Sequence, residues 1–472
     1  MFMDETKEAN KEEIKAQKDA ISYRRKNCFK DAPEGQLEKV MAYAEDYKRF
    51  MDAAKTEREA VVEGIAMAEA KGYIPYHFGD VMETGKGYYY NNRGKSLYVW
   101  RIGTEPKGKG VAISAAHVDS PRIDLKQNPL YEDSSIGYLK THYYGGIKKY
   151  QWTTIPLALH GTVVKANGEQ VNVVIGEDES DPLFYITDLL PHLAGNQMSQ
   201  SLGNAIGGEA LNVVIGTQPY PGDEGGDSVK FHMMSLLSEK YGITETDFQS
   251  AELTAVPAYK ARDIGLDRSL IAAYGHDDRV CAYTALTALL DTDPSERTVM
   301  VILADKEETG SDGNTGMQTM LFLDLMDEIA LSIGENPRAM RALSECLSAD
   351  VNAAFDPGFG DVYERRNACF LNGGVVMTKF TGARGKSGTS DASAEFVGRI
   401  RKLFDEAGVI WQTGELGRVD AGGGGTVAKY IANYNIDTVD IGVPVISMHA
   451  PYEVIAKNDL YQTYLAFVAF HR

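Results

Sequence analysis

His117, Asp119, Asp277, Glu307, Glu308, Asp350 and His449 lie far apart in the chain, yet each falls where a sheet would present it at one edge. GVAISAAHVD carries His117 and Asp119 at the end of an apolar run, and TVMVILADKEE closes on Glu307 and Glu308. ECLSAD stops at Asp350 and VPVISMHA at His449, while Asp277 and Asp278 stand where a loop enters a helix, a position that favours acids. Gathered in a partly dry cleft, so many carboxylates would repel one another. Divalent cations would remove the conflict. A mixed imidazole and carboxylate set suits zinc, with manganese or cobalt as alternatives.

The stretch VILADKEETGSDG, residues 301–313, sharpens the problem. Side chains alternate across a strand, so adjacent Glu307 and Glu308 would point to opposite faces unless the backbone bends. Each residue also has a plainer reading. A lone histidine at a strand end is more often a hydrogen-bonded structural group, HDD at 276–278 serves equally as a helix cap, and KEE reads as a solvated turn. Only convergence in space separates the two readings.

The elements that must position these residues are legible in outline. Residues 1–70 read as helical, with QLEKVMAYAEDYKRFMDAAKTEREAVVEGIAMAEAKG placing apolar residues at three and four spacings and ending on glycine. SLYVWRIG and GVAISAAHVDSP are strand-like runs closed by turn residues. From 122 to 258 the chain turns β-branched and alternating, with a turn at Asn167-Gly168, as expected of an inserted antiparallel β-rich domain. The α/β rhythm then returns: a helix at DDRVCAYTALTALLD, strands at TVMVILAD, ECLSADV and IDTVDIGVPVISMHA, and a closing helix at KNDLYQTYLAFVAF. The fold class is α/β, a mainly parallel sheet flanked by helices, built from 1–121 and 259–472, with 122–258 inserted. Ligands of such sheets gather beyond the carboxyl ends of the strands.

A chain of 472 residues with 43% hydrophobic and 24% charged residues supports a large core. A formal charge of −19 argues against nucleic acid or an anionic membrane as partner, since both need a basic footprint. Cys28, Cys281, Cys346 and Cys369 form no CxxC pair and point to a reducing compartment. The charged N-terminal stretch has no apolar core for a signal peptide, and no run approaches the roughly 20 apolar residues of a membrane span, so the expected location is cytoplasmic. GRVDAGGGGTVAKYIA, 417–432, places glycines including Gly423 and Gly424 before a helix, where backbone N–H groups would line a substrate pocket or form a flexible loop. TGARGKSGTS fails as a phosphate-binding loop because Phe380 stands where its first glycine belongs.

AHVDSPR (116–122), GHDDRVCAYTAL (275–286), DKEETGS (305–311), LSAD (347–350) and ISMHAPYE (446–453) occur in an order that resembles the di-zinc aminopeptidases, the family of aspartyl aminopeptidase and yeast vacuolar aminopeptidase I. YYGGI at 143–147 and LPHLA at 190–194 extend the resemblance into the insert. It implies two divalent ions per subunit, with Asp277 bridging them, His117 and Asp350 on one, Glu308 and His449 on the other. It makes Glu307 the general base and Asp119 the residue that orients His117. It implies an exopeptidase acting on peptides with a free N-terminus, and an insert that forms dimers which stack into a tetrahedral dodecamer. His192 would reach a neighbouring active site, and Lys379 would contact substrate. Val118, Lys306, Thr309, Asp278 and the stretch VNAAFDP depart from the family pattern. They leave the ligand set intact, and an acidic first-residue preference is not carried over. The same ligands would serve an amidohydrolase of N-acyl amino acids, and a cargo scaffold of this fold would need no Glu307.

Overall fold

The computed structural model describes residues 2–472, with side chains from residue 11 onward; Met1, where the expected catalytic unit begins, lies outside the described residues. Thr298–Ala304 and Val111–His117 lie parallel, in register from Thr298 beside Val111 to Ala304 beside His117. Both are apolar throughout or nearly so because both faces are covered. Val299, Val301 and Leu303 face a core shared with the helices His276–Asp291 and Lys457–His471. Met300, Ile302 and Ala304 face a second core under Leu321–Ser332.

The nine-stranded sheet runs Ile74–Pro75, Gly87–Asn92, Ser96–Arg101, Thr298–Ala304, Val111–His117, Glu345–Ala349, Asp437–Gly442, Val375–Thr378, Trp411–Thr413. It is mixed. Pairing is parallel from Thr298–Ala304 across to Asp437–Gly442, and antiparallel on both sides of Ser96–Arg101 and between Val375–Thr378 and Asp437–Gly442. The two outermost pairs are parallel as well, so the sheet is mainly parallel, as expected, with antiparallel pairing interspersed; His117, Asp350 and Glu307 emerge from one edge of its centre.

Two continuous runs in the sequence are broken in space. The long helical run divides into Gln36–Ala53 and Glu57–Ala70, because Thr56 and Glu59 form a reciprocal capping box. The run IDTVDIGVPVISMHA divides into Asp437–Gly442 in the main sheet and Pro444–Ile446 in a five-stranded sheet. Gly442 crosses so close to the neighbouring strand that a Cβ there would stand 1.7 Å from the Asp350 carbonyl oxygen. The chain then turns, with Ser447 and His449 both left-handed at φ 61° and 64°. We predict that Gly442→Ala costs about 2 kcal/mol or more in denaturant unfolding, because the strand must move off the Asp350 carbonyl. An unchanged midpoint would show that the strand moves freely.

Residues 122–257 carry a separate seven-stranded sheet, antiparallel throughout: Gln170–Ile175, Leu157–Val164, Ala251–Pro257, Arg122–Asp133, Ile136–Tyr144, Val213–Gly216, Tyr185–Ile186. Its apolar clusters are largely its own, and the helix Ser228–Tyr241 packs on it. The Leu157–Val164 and Gln170–Ile175 hairpin turns at Gly168, which is left-handed at φ 85°. Among the described residues no helix is long and apolar enough to cross a membrane.

Candidate metal centre

His117 ends its strand almost wholly buried, at 1% exposure. Its Nδ1 lies 3.0 Å from the Asp119 carbonyl oxygen and 3.3 Å from Asp119 Oδ1. A carbonyl only accepts, so Nδ1 carries the proton and Nε2 is left to face inward, 3.2 Å from Asp277 Oδ1. His449 repeats the arrangement. Its Nδ1 donates to the Gly146 carbonyl at 2.7 Å, and its Nε2 stands 3.2 Å from Asp277 Oδ2. Asp277 therefore sits between the histidines, one carboxylate oxygen towards each. His117 Nε2 is also 3.9 Å from Glu307 Oε2 and 4.0 Å from Asp350 Oδ1, and His449 Nε2 is 3.7 Å from Glu308 Oε1. The structure thus brings His117, Asp277, Glu307, Glu308, Asp350 and His449 together.

The turn after Ala304 answers why two glutamates adjoin. Lys306 is left-handed at φ 64°, Glu307–Thr309 form a 3₁₀ turn, and Gly310 closes it at φ 104°. Asp119 holds this turn from beneath. Its Oδ1 accepts the Glu307 N–H at 3.1 Å, and its Oδ2 accepts the Glu308 N–H at 3.1 Å and the Tyr144 hydroxyl at 2.8 Å. The strand alternation is thus abandoned, and both side chains line the same cleft.

The electrostatics fit cations. Burial, then the charge of Asp278, pushes the Asp350 carboxyl well above its usual range, and burial, then Asp277, does the same to Glu308. Burial also raises Glu307. Burial works against ionised Asp277, but the two imidazoles beside it, His117 and His449, outweigh burial and hold the group below its usual value. Burial opposes the His449 charge, yet Asp277 and Glu308 keep it at about 10. Asp277 Oδ1, Asp278 Oδ1 and Glu308 Oε1 are buried without a hydrogen bond. Ligand atoms of His117, Asp277 and Glu308 lie mutually within 4.8 Å, as do those of His117, Asp278 and Asp350. Inward imidazole nitrogens, clustered acids and orphaned carboxylate oxygens form a donor set that fits divalent cations.

The family model for aminopeptidase I zinc metalloproteases (M18) matches residues 50–471. This chain belongs to the M18 family. It is an aminopeptidase of the zinc metalloprotease type. It is 47% identical over 94% of its length to a probable M18 family aminopeptidase 1 of Clostridium acetobutylicum, covering 97% of that protein. A Thermotoga maritima relative of the same description is 45% identical over 91% of this chain and 95% of its own. The crystal structure of the T. maritima M18 aminopeptidase superposes with a TM-score of 0.91 at 43% identity, covering 96% of this chain and all of the other. A yeast aminopeptidase 1 dodecamer shares the fold, with a TM-score of 0.75 at 19% identity over 91% of this chain and 96% of its own.

In this M18 aminopeptidase the centre opens on a cleft of about 510 Å³. Asp277, Glu307, Glu308, Asp350 and His449 form one wall. Gly423 and Gly424 also line the cleft, and pair with Gly382–Ala383 in a short antiparallel ribbon. Lys379 is exposed and ion-paired with Asp391 at 2.5 Å; its neighbours Thr378 and Phe380 line the cleft in its place. His192 is exposed on a loop of residues 122–257, outside the cleft-lining set.

Two buried acids escaped the sequence reading. The Glu453 carboxylate accepts the backbone N–H groups of Asp277 at 3.0 Å and His449 at 2.7 Å, tying two distant segments together. Burial and the Asp277 charge push it up to about 8. Its signal was available, an acid opening a strand four residues after His449. Asp278, read only as a helix-start acid, is fully buried and joins His117 and Asp350 in one of the ligand groupings.

Proposed function

We propose that this M18 aminopeptidase removes the first residue of peptides with a free N-terminus, using two divalent cations and Glu307 as general base. The observation that carries this reading is Asp277, set between two histidines with one oxygen towards each. Asp277 would be shared, His117 and Asp350 would hold one ion, and Glu308 and His449 the other. Zinc fits best, with cobalt or manganese as alternatives. When bound, the ions supply Lewis acidity and ease deprotonation of water.

The chain's own residues do the rest. Glu307 takes a proton from the attacking water and returns it to the departing amine. Burial raises its affinity for that proton, and the Asp119 carboxylate fixes its backbone, so little motion is needed. Asp119 also holds His117 in the tautomer that aims Nε2 at the centre. The acidic wall favours a substrate ammonium at the same point, which limits cleavage to the first residue.

Aminoacyl anilides, free and N-acetylated, offered to chelated enzyme restored with zinc, manganese or cobalt, test the reading. Activity returns with metal, and acetylation lowers kcat/KM by about 100-fold or more, the loss of a buried charged contact. Preference for the acetylated series would make the protein an amidohydrolase. Metal-independent silence towards both would favour a scaffold.

We assign residues 1–121 and 259–472 to the catalytic unit and 122–258 to a subunit-pairing unit. Leu189, Leu190, Leu193, Met198 and Leu202 are exposed on that unit, an apolar surface that supports contact with another copy. Dimers would stack into a tetrahedral dodecamer, which sedimentation would detect. Four buried free cysteines support a cytoplasmic location.

A further inference from the structure

We propose that the end of the Ile136–Tyr144 strand, with Tyr144 and the Gly146 carbonyl, positions both halves of the catalytic centre. This rests on the reading of Glu307 as base and His449 as ligand. The segment belongs to the seven-stranded sheet, yet it touches the centre at two points.

The first is Tyr144. Its hydroxyl donates to Asp119 Oδ2 at 2.8 Å. Asp119 is fully buried, and its carboxylate also receives the Glu307 and Glu308 N–H groups and faces His117 Nδ1. Tyr144 therefore supplies the donor that stops the carboxylate from turning away from the glutamate turn. The ring itself is held independently. The Arg122 guanidinium lies 4.0 Å from its centroid, the two residues are cross-strand partners, and Arg122 pairs with Glu57 and Asp124.

The second is Gly146. Its carbonyl accepts the His449 Nδ1 proton at 2.7 Å, which fixes the ring and leaves Nε2 facing Asp277. The backbone here is pressed against the centre. A Cβ on Gly145 would stand 3.3 Å from Glu308, and one on Gly146 would stand 3.2 Å from His449 Nδ1. One turn thus sets the backbone of the base through Asp119 and the imidazole of a ligand directly. The position of the seven-stranded sheet is read out at the site through these two bonds.

Tyr144→Phe removes the hydroxyl and keeps the ring. We expect kcat to fall about tenfold, with KM changed less than about twofold, and the zinc affinity of the chelated protein to fall severalfold in competition with a chromophoric chelator. The melting temperature without metal stays as in the unmodified protein. In a double-mutant cycle, Tyr144→Phe added to Asp119→Asn causes little further loss, because the hydroxyl acts through that carboxylate. Gly146→Ala, which leaves Asp119 untouched, lowers zinc affinity by crowding His449. Unchanged kcat and zinc affinity in Tyr144→Phe, or losses that multiply in full with Asp119→Asn, would overturn the proposal. Glu307→Gln measured alongside separates the two ideas. Full activity there removes the base assignment, while the zinc-affinity losses still report on the positioning bonds.

Discussion

Glu307→Gln should keep its zinc and lose about a thousandfold in kcat. The substitution preserves side-chain length, and the backbone N–H that Asp119 accepts at 3.1 Å is unaffected. What disappears is the ability to accept a proton. General base catalysis contributes about 10²–10⁴ in rate, and the expected loss sits in the middle of that range. KM should change little, since the amide still fills the same wall of the cleft. Metal content by mass spectrometry and steady-state kinetics read the two effects separately. Near-normal turnover would take Glu307 out of the base role, and loss of zinc would make it a ligand instead.

Asp277→Asn should abolish metal binding and activity together. One carboxylate oxygen lies 3.2 Å from His117 Nε2 and the other 3.2 Å from His449 Nε2, and an amide offers one acceptor where two are needed. Zinc affinity should fall by more than about 100-fold, beyond the 10–100-fold typical of changes one step removed from a ligand. The unmodified protein should melt at a higher temperature when zinc is added, by mass action on the folded state. The variant should show no such rise. A zinc-dependent rise of equal size in the variant would mean that Asp277 is not shared between ions.

The elements that carry the site were readable because their chemistry is local. Val111–His117, Thr298–Ala304 and Glu345–Ala349 are buried runs, and the charged or polar residues at or just past their ends mark the sheet edge. The entry into the helix His276–Asp291 was legible from HDD to within a residue, for the same reason. The close approach at Gly442 was not, because it is set by the Asp350 carbonyl of a distant segment. Nor was the joint hold of Asp119 on Glu307 and Glu308, or the bond from Tyr144. These depend on how far one chain segment stands from another.

From residue types and order alone came the apolar strands, the polar stops at their ends and a set of donors that suits zinc. Only the tertiary structure decided that Asp277 lies between His117 and His449, that Glu453 ties the backbones of Asp277 and His449, and that Tyr144 and Gly146 reach in from the second sheet. Burial pattern and turn chemistry are properties of neighbours in the chain. Ligand geometry and hydrogen-bond direction are set to within a few tenths of an ångström by packing between segments that the chain order leaves far apart.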